Sequence, residues 1–450
     1  MKNSPQHDNP GGSIARLQYV LRENRQSGKT GTYAVCSAHP AVLDAAVQQS
    51  LADESLLHVE STSSQVNQFG GYTNLNPSQF ADWIYASAKK AGLPADCILL
   101  GGDHLGPFPW RKEASASALE KATRLVRDCV SAGYQKIHLD ASMACADDPA
   151  PALPEHVIAA RAAILCQAAE DIYRQMPTDS PQPVYVIGTE VPTPGGESHD
   201  ASELAVTKSE DVHRSMEVFR SAFESIGLHS AWERVIALVV QPGVDFAANS
   251  IIGYDRFKAH SLSEALSAYP DTVFEAHSTD YQSPQALTEM VEDHFSILKV
   301  GPWLTFAFRE AVLALGAIEN ELLGKGRRKS QVREALDAAM LREPSQWQPY
   351  YHGEEDEIRR DRIYSFSDRC RYYWNYSEVQ EELAHLLNNL RSTPIPLSLI
   401  SQFLGTEYGA VRSGELQPSP EQLIQHHIRQ VLKIYADACG SRKSKAADSK

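Results

Sequence analysis

The stretch CILLGGDHLGPFPW, residues 97–110, decides how this chain is read. It climbs through an apolar run, loosens on two glycines, and delivers Asp103 and His104 side by side before a proline-rich turn. A regular strand sends neighbouring side chains to opposite faces. Both groups can reach the same face only where the strand gives out. The run therefore reads as a buried strand whose C-terminal end carries chemistry.

Comparable apolar runs recur along the chain: TYAVCSA (32–38), LLHVEST (56–62), KIHLDAS (136–142), VYVIGTEV (184–191), VIALVVQ (235–241), TVFEAHS (272–278) and ILKVG (297–301). With 97–104 they make eight. Segments at helical spacing separate them, among them 77–92, closing on Gly92, and 115–133, closing on Gly133. Apolar strands alternating with helices predict a parallel sheet buried on both faces. Eight such units over roughly 270 residues match the size of a (β/α)8 TIM barrel of the α/β class. A doubly wound open sheet is the alternative, weakened because no Gly-x-Gly-x-x-Gly follows the first strand.

Seven of the eight runs finish on polar residues: Ser37 and His39, Glu60 and Ser61, Asp103 and His104, Asp140, Glu190, Gln241, and Glu275 with His277. In a barrel these ends share one mouth, where active sites are built. The expected domains are a disordered start (1–14), the barrel (15–325), a helical extension packed on the barrel or on a partner (326–440), and a disordered tail (441–450).

Composition narrows the function. The 450 residues carry a net charge of -15, which repels nucleic acid and anionic membrane. No apolar run approaches the ~20 residues that span a bilayer. The polar N-terminus lacks a hydrophobic leader, and seven scattered cysteines without a CxxC pair read as reduced thiols. These features together predict a cytoplasmic protein.

Asp103-His104 is the sharpest chemical signal: the His can bind a divalent metal, and the Asp can act as acid/base. A turn-stabilising pair is the bland alternative. Glu190, before a Gly-rich loop, is an acid/base or metal ligand, or else caps that loop. His277 can face His104 across the mouth as a second ligand, or be an ordinary hydrogen-bonded histidine. Asp140 is a further acidic candidate. Asn67 and Gln68, in the loop STSSQVNQFGGYT (61–73), can hydrogen-bond a sugar, though the loop can equally be rigid and ligand-free. Ser278, Thr279 and the turn at Gly301 lie where barrels commonly bind phosphate. Lys299 invites a Schiff-base reading, which needs a desolvated, neutral amine. No P-loop and no Gly-x-Ser-x-Gly elbow is present.

VNQFGGYT, LLGGDHLGP, HLDAS, IGTEVPTPGG, FEAHSTDYQ and LKVGPWLTFAFREA occur in that order. Together they resemble the non-catalytic, Z-type subunit of D-tagatose-1,6-bisphosphate aldolase, a family related to the zinc-dependent class II ketose-bisphosphate aldolases. The resemblance implies that Asp103 matches the aldolase acid/base, His104 and His277 match zinc ligands, and Glu190 with Gly195-Gly196 matches the catalytic Glu of the fifth strand. It also shows departures. Gln241-Pro242 stands where the aldolases carry a zinc-binding His in the sixth strand, leaving Gln241 as a substrate contact instead. Gly301 stands where they carry a substrate-holding Asn. The resemblance thus implies a subunit that supports the stability and activity of a separate class II catalytic subunit in tagatose, galactitol and N-acetylgalactosamine catabolism. The alternative is a metal-dependent epimerase or aldolase acting by itself on a phosphorylated ketose, with a zinc-like divalent cofactor.

Overall fold

The computed structural model describes residues 11–149, 153–189, 204–324 and 326–441. Eight strands close into a barrel: Thr32–Val35, Leu57–Thr62, Ile98–Leu105, Lys136–Leu139, Val184–Gly188, Val235–Val240, Val273–Ala276 and Phe295–Val300. Each pairs in parallel with its neighbours in the chain, and the first pairs with the eighth through Thr32–Ile297 to Val35–Val300. All eight predicted runs are strands of this barrel, most of them trimmed at the C-terminal end. Among the trimmed residues, Ser37, His277 and Ser278 leave the ladder to line the mouth.

A helix follows every strand: Pro40–Asp53, Pro77–Ala91, Ser115–Ser131, Glu155–Tyr173, Ser209–Ser225, Arg256–Ala265, Pro284–Glu292 and Pro302–Leu322. Their ends obey local chemistry. Asn76 and Gln79 form a reciprocal capping box at the start of Pro77–Ala91, and Gly92 ends it in the left-handed region at φ 86°.

The chain also fills the barrel from below. Helix Ser13–Ser27 begins within the segment expected to be disordered. Its Leu17 and Leu21 pack with Leu99, Val184, Val273 and Ile297 in an apolar cluster separate from the main core. These strand residues alternate with the charged ones above them: Leu99 with Asp103 two places beyond Gly101, Val273 with Glu275 and His277, Ile297 with Lys299. The lumen is therefore layered, apolar at the base and ionic towards the mouth.

Beyond the barrel the chain is helical: Val332–Arg342, Glu355–Tyr364, Ser377–Arg391, Leu397–Phe403, Gly405–Ser413 and Pro420–Ala438. The last helix is capped by Ser419, which accepts from the Gln422 amide. It spans the seam between first and eighth strands, where the Gly31 amide donates to the Cys439 carbonyl and Tyr435 Oη donates to that of Thr279 (2.8 Å). A second anchor is ionic. Arg309, on the helix after the eighth strand, is 1 % exposed. Its Nε donates to Asp368 of the extension at 2.8 Å, and Thr305 donates to the other carboxylate oxygen at 2.6 Å.

Removing one partner of a buried pair strands the other charge, at a cost of about 3–5 kcal/mol. Asp368→Ala is expected to lower stability by that amount in chemical denaturation. A loss under about 1 kcal/mol would show that the extension does not depend on this pair.

Candidate active site at the barrel mouth

The Asp103-His104 end is bent. The ladder between third and fourth strands slips its register between Gly102 and Leu105, and His104 has φ 48°. A bulge with a left-handed non-glycine residue carries strain on the order of 1–3 kcal/mol. Its effect is to release two consecutive side chains from alternation. Both Asp103 and His104 line the same cavity of about 720 Å³.

Beneath them lies an ionic layer. Glu60, Lys136 and Glu275 are fully buried, and Lys299 nearly so. Lys136 Nζ is 2.7 Å from Glu60 Oε1 and 2.6 Å from Glu275 Oε2. Lys299 pairs with Glu60 and lies 2.9 Å from Asp103 Oδ1 and 3.5 Å from Glu275 Oε1. Gly101 makes room for this, since a Cβ there would lie 2.7 Å from the Glu60 Cγ. Burial opposes the charge on Lys299, but Asp103, Cys36, Glu275 and Glu60 outweigh it and raise its pKa. The amine keeps its proton, which is the wrong state for a Schiff-base nucleophile.

Three imidazoles crown the layer. The His104, His138 and His277 rings lie 4.9–5.2 Å apart, centre to centre. His104 Nδ1 bonds Asp140 at 2.8 Å, and its Nε2 is 3.7 Å from Asp103 Oδ2. His138 Nδ1 is 3.0 Å from Asp103 Oδ1, while its Nε2 is buried with no partner. His277 Nε2 is 3.0 Å from Glu275 Oε1. Burial lowers the His277 pKa to about 4, so its ring is neutral at pH 7. Burial also works against His104, but Asp103 and Asp140 win and hold its pKa above the ordinary value. The Asp103 carboxyl falls well below the usual range despite its burial, because His104 and Lys299 favour the anion.

A divalent cation fits these donors. Asp103, His138, Glu275 and His277 each offer one ligand atom, all within 4.8 Å of one another. Neutral imidazoles and carboxylates are the donor set such ions take. Asp103, Asp140, Glu60 and Glu275 set four carboxylates against two lysines, an excess of negative charge that a cation would offset. The unpaired His138 Nε2 is the atom that internal hydrogen bonding leaves unexplained. Cys36 also faces this region, but burial raises its thiol pKa well above the ordinary value and keeps it protonated.

The sequence singled out some of these residues and missed others. Asp103, His104, His277 and Ser278 meet at the cavity, and Asp140 joins through His104. Glu190, Gly195 and Gly196 lie outside the described residues. Asn67 touches the cavity, but its amide donates to the Ser63 carbonyl and its oxygen accepts from the Phe69 and Gly71 amides, shaping its own loop. Gln68 and Gln241 are not brought to the cavity. Gln68 donates to the Lys121 carbonyl, and the Gln241 oxygen accepts from Gly243 and Val244. Thr279 is fully buried and donates to the Lys299 carbonyl at 2.7 Å. The Gly301 amide is taken by Asp280 Oδ1 at 3.0 Å. His138 and Lys136 went unnoticed. Their signal was the alternation of Lys136, His138 and Asp140 on one face of KIHLD.

The sequence profile of the D-tagatose-1,6-bisphosphate aldolase subunit GatZ/KbaZ-like proteins matches residues 17–440. The chain belongs to this family. Among solved structures it is similar to a probable tagatose 6 phosphate kinase from Sinorhizobium meliloti 1021, at 43% identity and TM-score 0.83, over 91% of this chain and 100% of that one. More distant likenesses are the fructose-bisphosphate aldolase of Campylobacter jejuni (11% identity, TM-score 0.45, 95% of this chain and 94% of that one) and the YdjI aldolase of Escherichia coli K12 (10%, TM-score 0.40, 82% and 94%). Among the described residues no helix is long and apolar enough to cross a membrane.

Two outcomes are expected of this GatZ/KbaZ-like chain. Lys136→Met leaves Glu60 and Glu275 short of a counter-charge in the lumen, and denaturation is expected to show a loss of about 3–5 kcal/mol; a neutral result would mean that the carboxylates are solvated or protonated. The second concerns pH. Burial lowers the His39 pKa to about 4, and its Nδ1 has no partner. Below about 6.5 the unfolded chain takes up protons that the native His39 and His277 refuse. Their share of stability is therefore complete above 6.5 and falls as pH drops towards 4. Asp280, raised to about 6 by burial, acts in the opposite sense. The informative quantity is the slope of Tm against pH between 6.5 and 4, which His39→Gln should flatten; an unchanged slope would contradict the assignment.

Proposed function

We propose that this mouth is a metal-dependent site for a phosphorylated ketose, and that the chain carries out lyase or epimerase chemistry by itself. The observation that carries the reading is the buried, unpartnered His138 Nε2 beside His104, His277 and Asp103. A subunit that served only as scaffold gains nothing from burying an unsatisfied imidazole. A zinc-like ion held by His138, His277 and Glu275 would polarise the ketose carbonyl, leaving Asp103 for proton transfer. Asp103, ionised at neutral pH, would accept a proton from substrate carbon or hydroxyl and return it. Lys299 would hold Asp103 in place and temper its charge. His104, steadied by Asp140, would donate a hydrogen bond to the substrate or act as a further ligand. Glu190 stays a candidate second acid/base on the strength of the sequence resemblance. Ser278 is the proposed sugar contact at the wall, with Asn67 shaping the loop beside it.

A second reading has its own support. The family description is that of an aldolase subunit, which favours a partner role beside a class II catalytic subunit. Helices Glu155–Tyr173 and Ser209–Ser225 leave an apolar groove on the barrel exterior, with Ile164 and Ile226 about half exposed. A catalytic subunit would cover it.

The purified full-length chain is expected to hold close to one equivalent of divalent metal by elemental analysis and to convert D-tagatose 6-phosphate or the 1,6-bisphosphate without a partner. His138→Ala should remove the metal and cut turnover by about 100-fold or more. Metal-free protein with undiminished turnover would sink the metal reading. No turnover alone, with rate or stability restored to a co-purified class II subunit, would favour the partner role.

A further inference from the structure

The place where barrels usually take phosphate is closed in this chain. Asp280 Oδ1 accepts from the amides of Gly301 (3.0 Å) and Trp303 (2.8 Å), so a carboxylate already occupies the start of helix Pro302–Leu322. A phosphate dianion there would meet a like charge. If the substrate carries a phosphate, the mouth must bind it elsewhere.

The extension supplies a cationic wall. The turn Arg369–Tyr372 reaches over the mouth, and Arg369, Arg371 and Tyr372 line the same cavity as Asp103 and His104. Arg369 is 2 % exposed. One of its terminal nitrogens donates to the Gln346 carbonyl at 3.1 Å and its guanidinium lies over the Tyr350 ring, but Nε and Nη2 are buried without a well-formed hydrogen bond. Arg371 donates to the carbonyls of Ser367 and Asp368 and to Tyr372 Oη (2.9 Å). Asp368, the nearest acid in sequence, is engaged by Arg309 and Thr305. Among the described residues neither Arg369 nor Arg371 forms an ion pair. A buried guanidinium with free N–H groups and no carboxylate is costly unless an anion completes it.

The surroundings agree. Burial pushes the Tyr372 phenol up, yet Arg371 and Arg369 overcome this and bring its pKa below the usual value. The local field is therefore positive in a chain whose net charge is -15. Arg111 and Lys112 add two cations on another side of the same cavity.

We propose that Arg369 and Arg371, carried by the C-terminal extension, bind the phosphate monoester of the sugar substrate. The site rests on the ketose-phosphate reading above and gives the extension a direct part in recognition. Guanidinium N–H groups in a planar fork suit a phosphate's oxygens.

The test is calorimetry on the full-length chain, with D-tagatose 6-phosphate, inorganic phosphate and unphosphorylated D-tagatose as titrants, in metal-free and metal-supplemented buffer. Wild-type protein should bind the ester, and Arg369→Gln and Arg371→Gln should each weaken it by about tenfold or more while D-tagatose binding stays unchanged. Thermal unfolding checks that both variants fold; if Arg369→Gln does not, Arg371→Gln carries the test. Where turnover is measurable, KM should rise by the same factor with kcat within about twofold. Wild-type affinity in the folded variants, equal weakening for D-tagatose, or no ester binding by wild-type protein would overturn the site. A chain that binds the ester through these arginines but turns nothing over would refute the metal-enzyme reading and leave the anion site standing.

Discussion

Two lysines and two glutamates buried across the lumen are the constraint around which the rest of the molecule is arranged. Lys136 bridges Glu60 to Glu275, and Lys299 ties Glu60 to Asp103. These four come from the second, fourth, seventh and eighth strands, of which only the last two are ladder neighbours, so the network ties strands across the lumen. Buried charges at such closeness persist only when each has its partner. The layer therefore needs a closed barrel, and the apolar plug of Leu17 and Leu21 below it keeps water from the other end.

The chemical surface rests directly on this layer. Lys299 touches Asp103, Glu275 touches His277, and Asp103 touches His138. The ionisation of each mouth residue is thus set from beneath. His277 is neutral because burial outweighs Glu275, whereas Asp103 is anionic because His104 and Lys299 outweigh burial. The strained His104 backbone gives this arrangement its second acidic and imidazole pair from a single strand end. Three rings meet there because the third and fourth strands and the end of the seventh supply His104, His138 and His277.

The extension is part of the same mouth. Arg309 and Thr305, on the helix leaving the eighth strand, fix Asp368, and Asp368 fixes the turn that presents Arg369 and Arg371. Asp280 closes the helix start nearby. A buried ionic layer, an imidazole layer and a cationic wall thus succeed one another towards the mouth.

By itself, the sequence determined the barrel, the order of its strands, the helices between them and the polar strand ends, because periodicity and end signals are local properties of the chain. The pairing of Asp103 with His104, and their meeting with His277, were legible once eight strand ends were taken to share a mouth. Lys136 and His138 were legible in principle from the alternation in KIHLD, but two polar residues inside a strand carry no sign of which charges will face them. Only the tertiary structure decided that Lys136 lies between Glu60 and Glu275, that Gln241 and Thr279 turn to the backbone, and that Arg369 and Arg371 reach a cavity whose barrel lining runs from Cys36 to Thr305. The physical reason is the same in each case. The energy of a charge depends on what surrounds it in space, and strands far apart in the chain supply those surroundings.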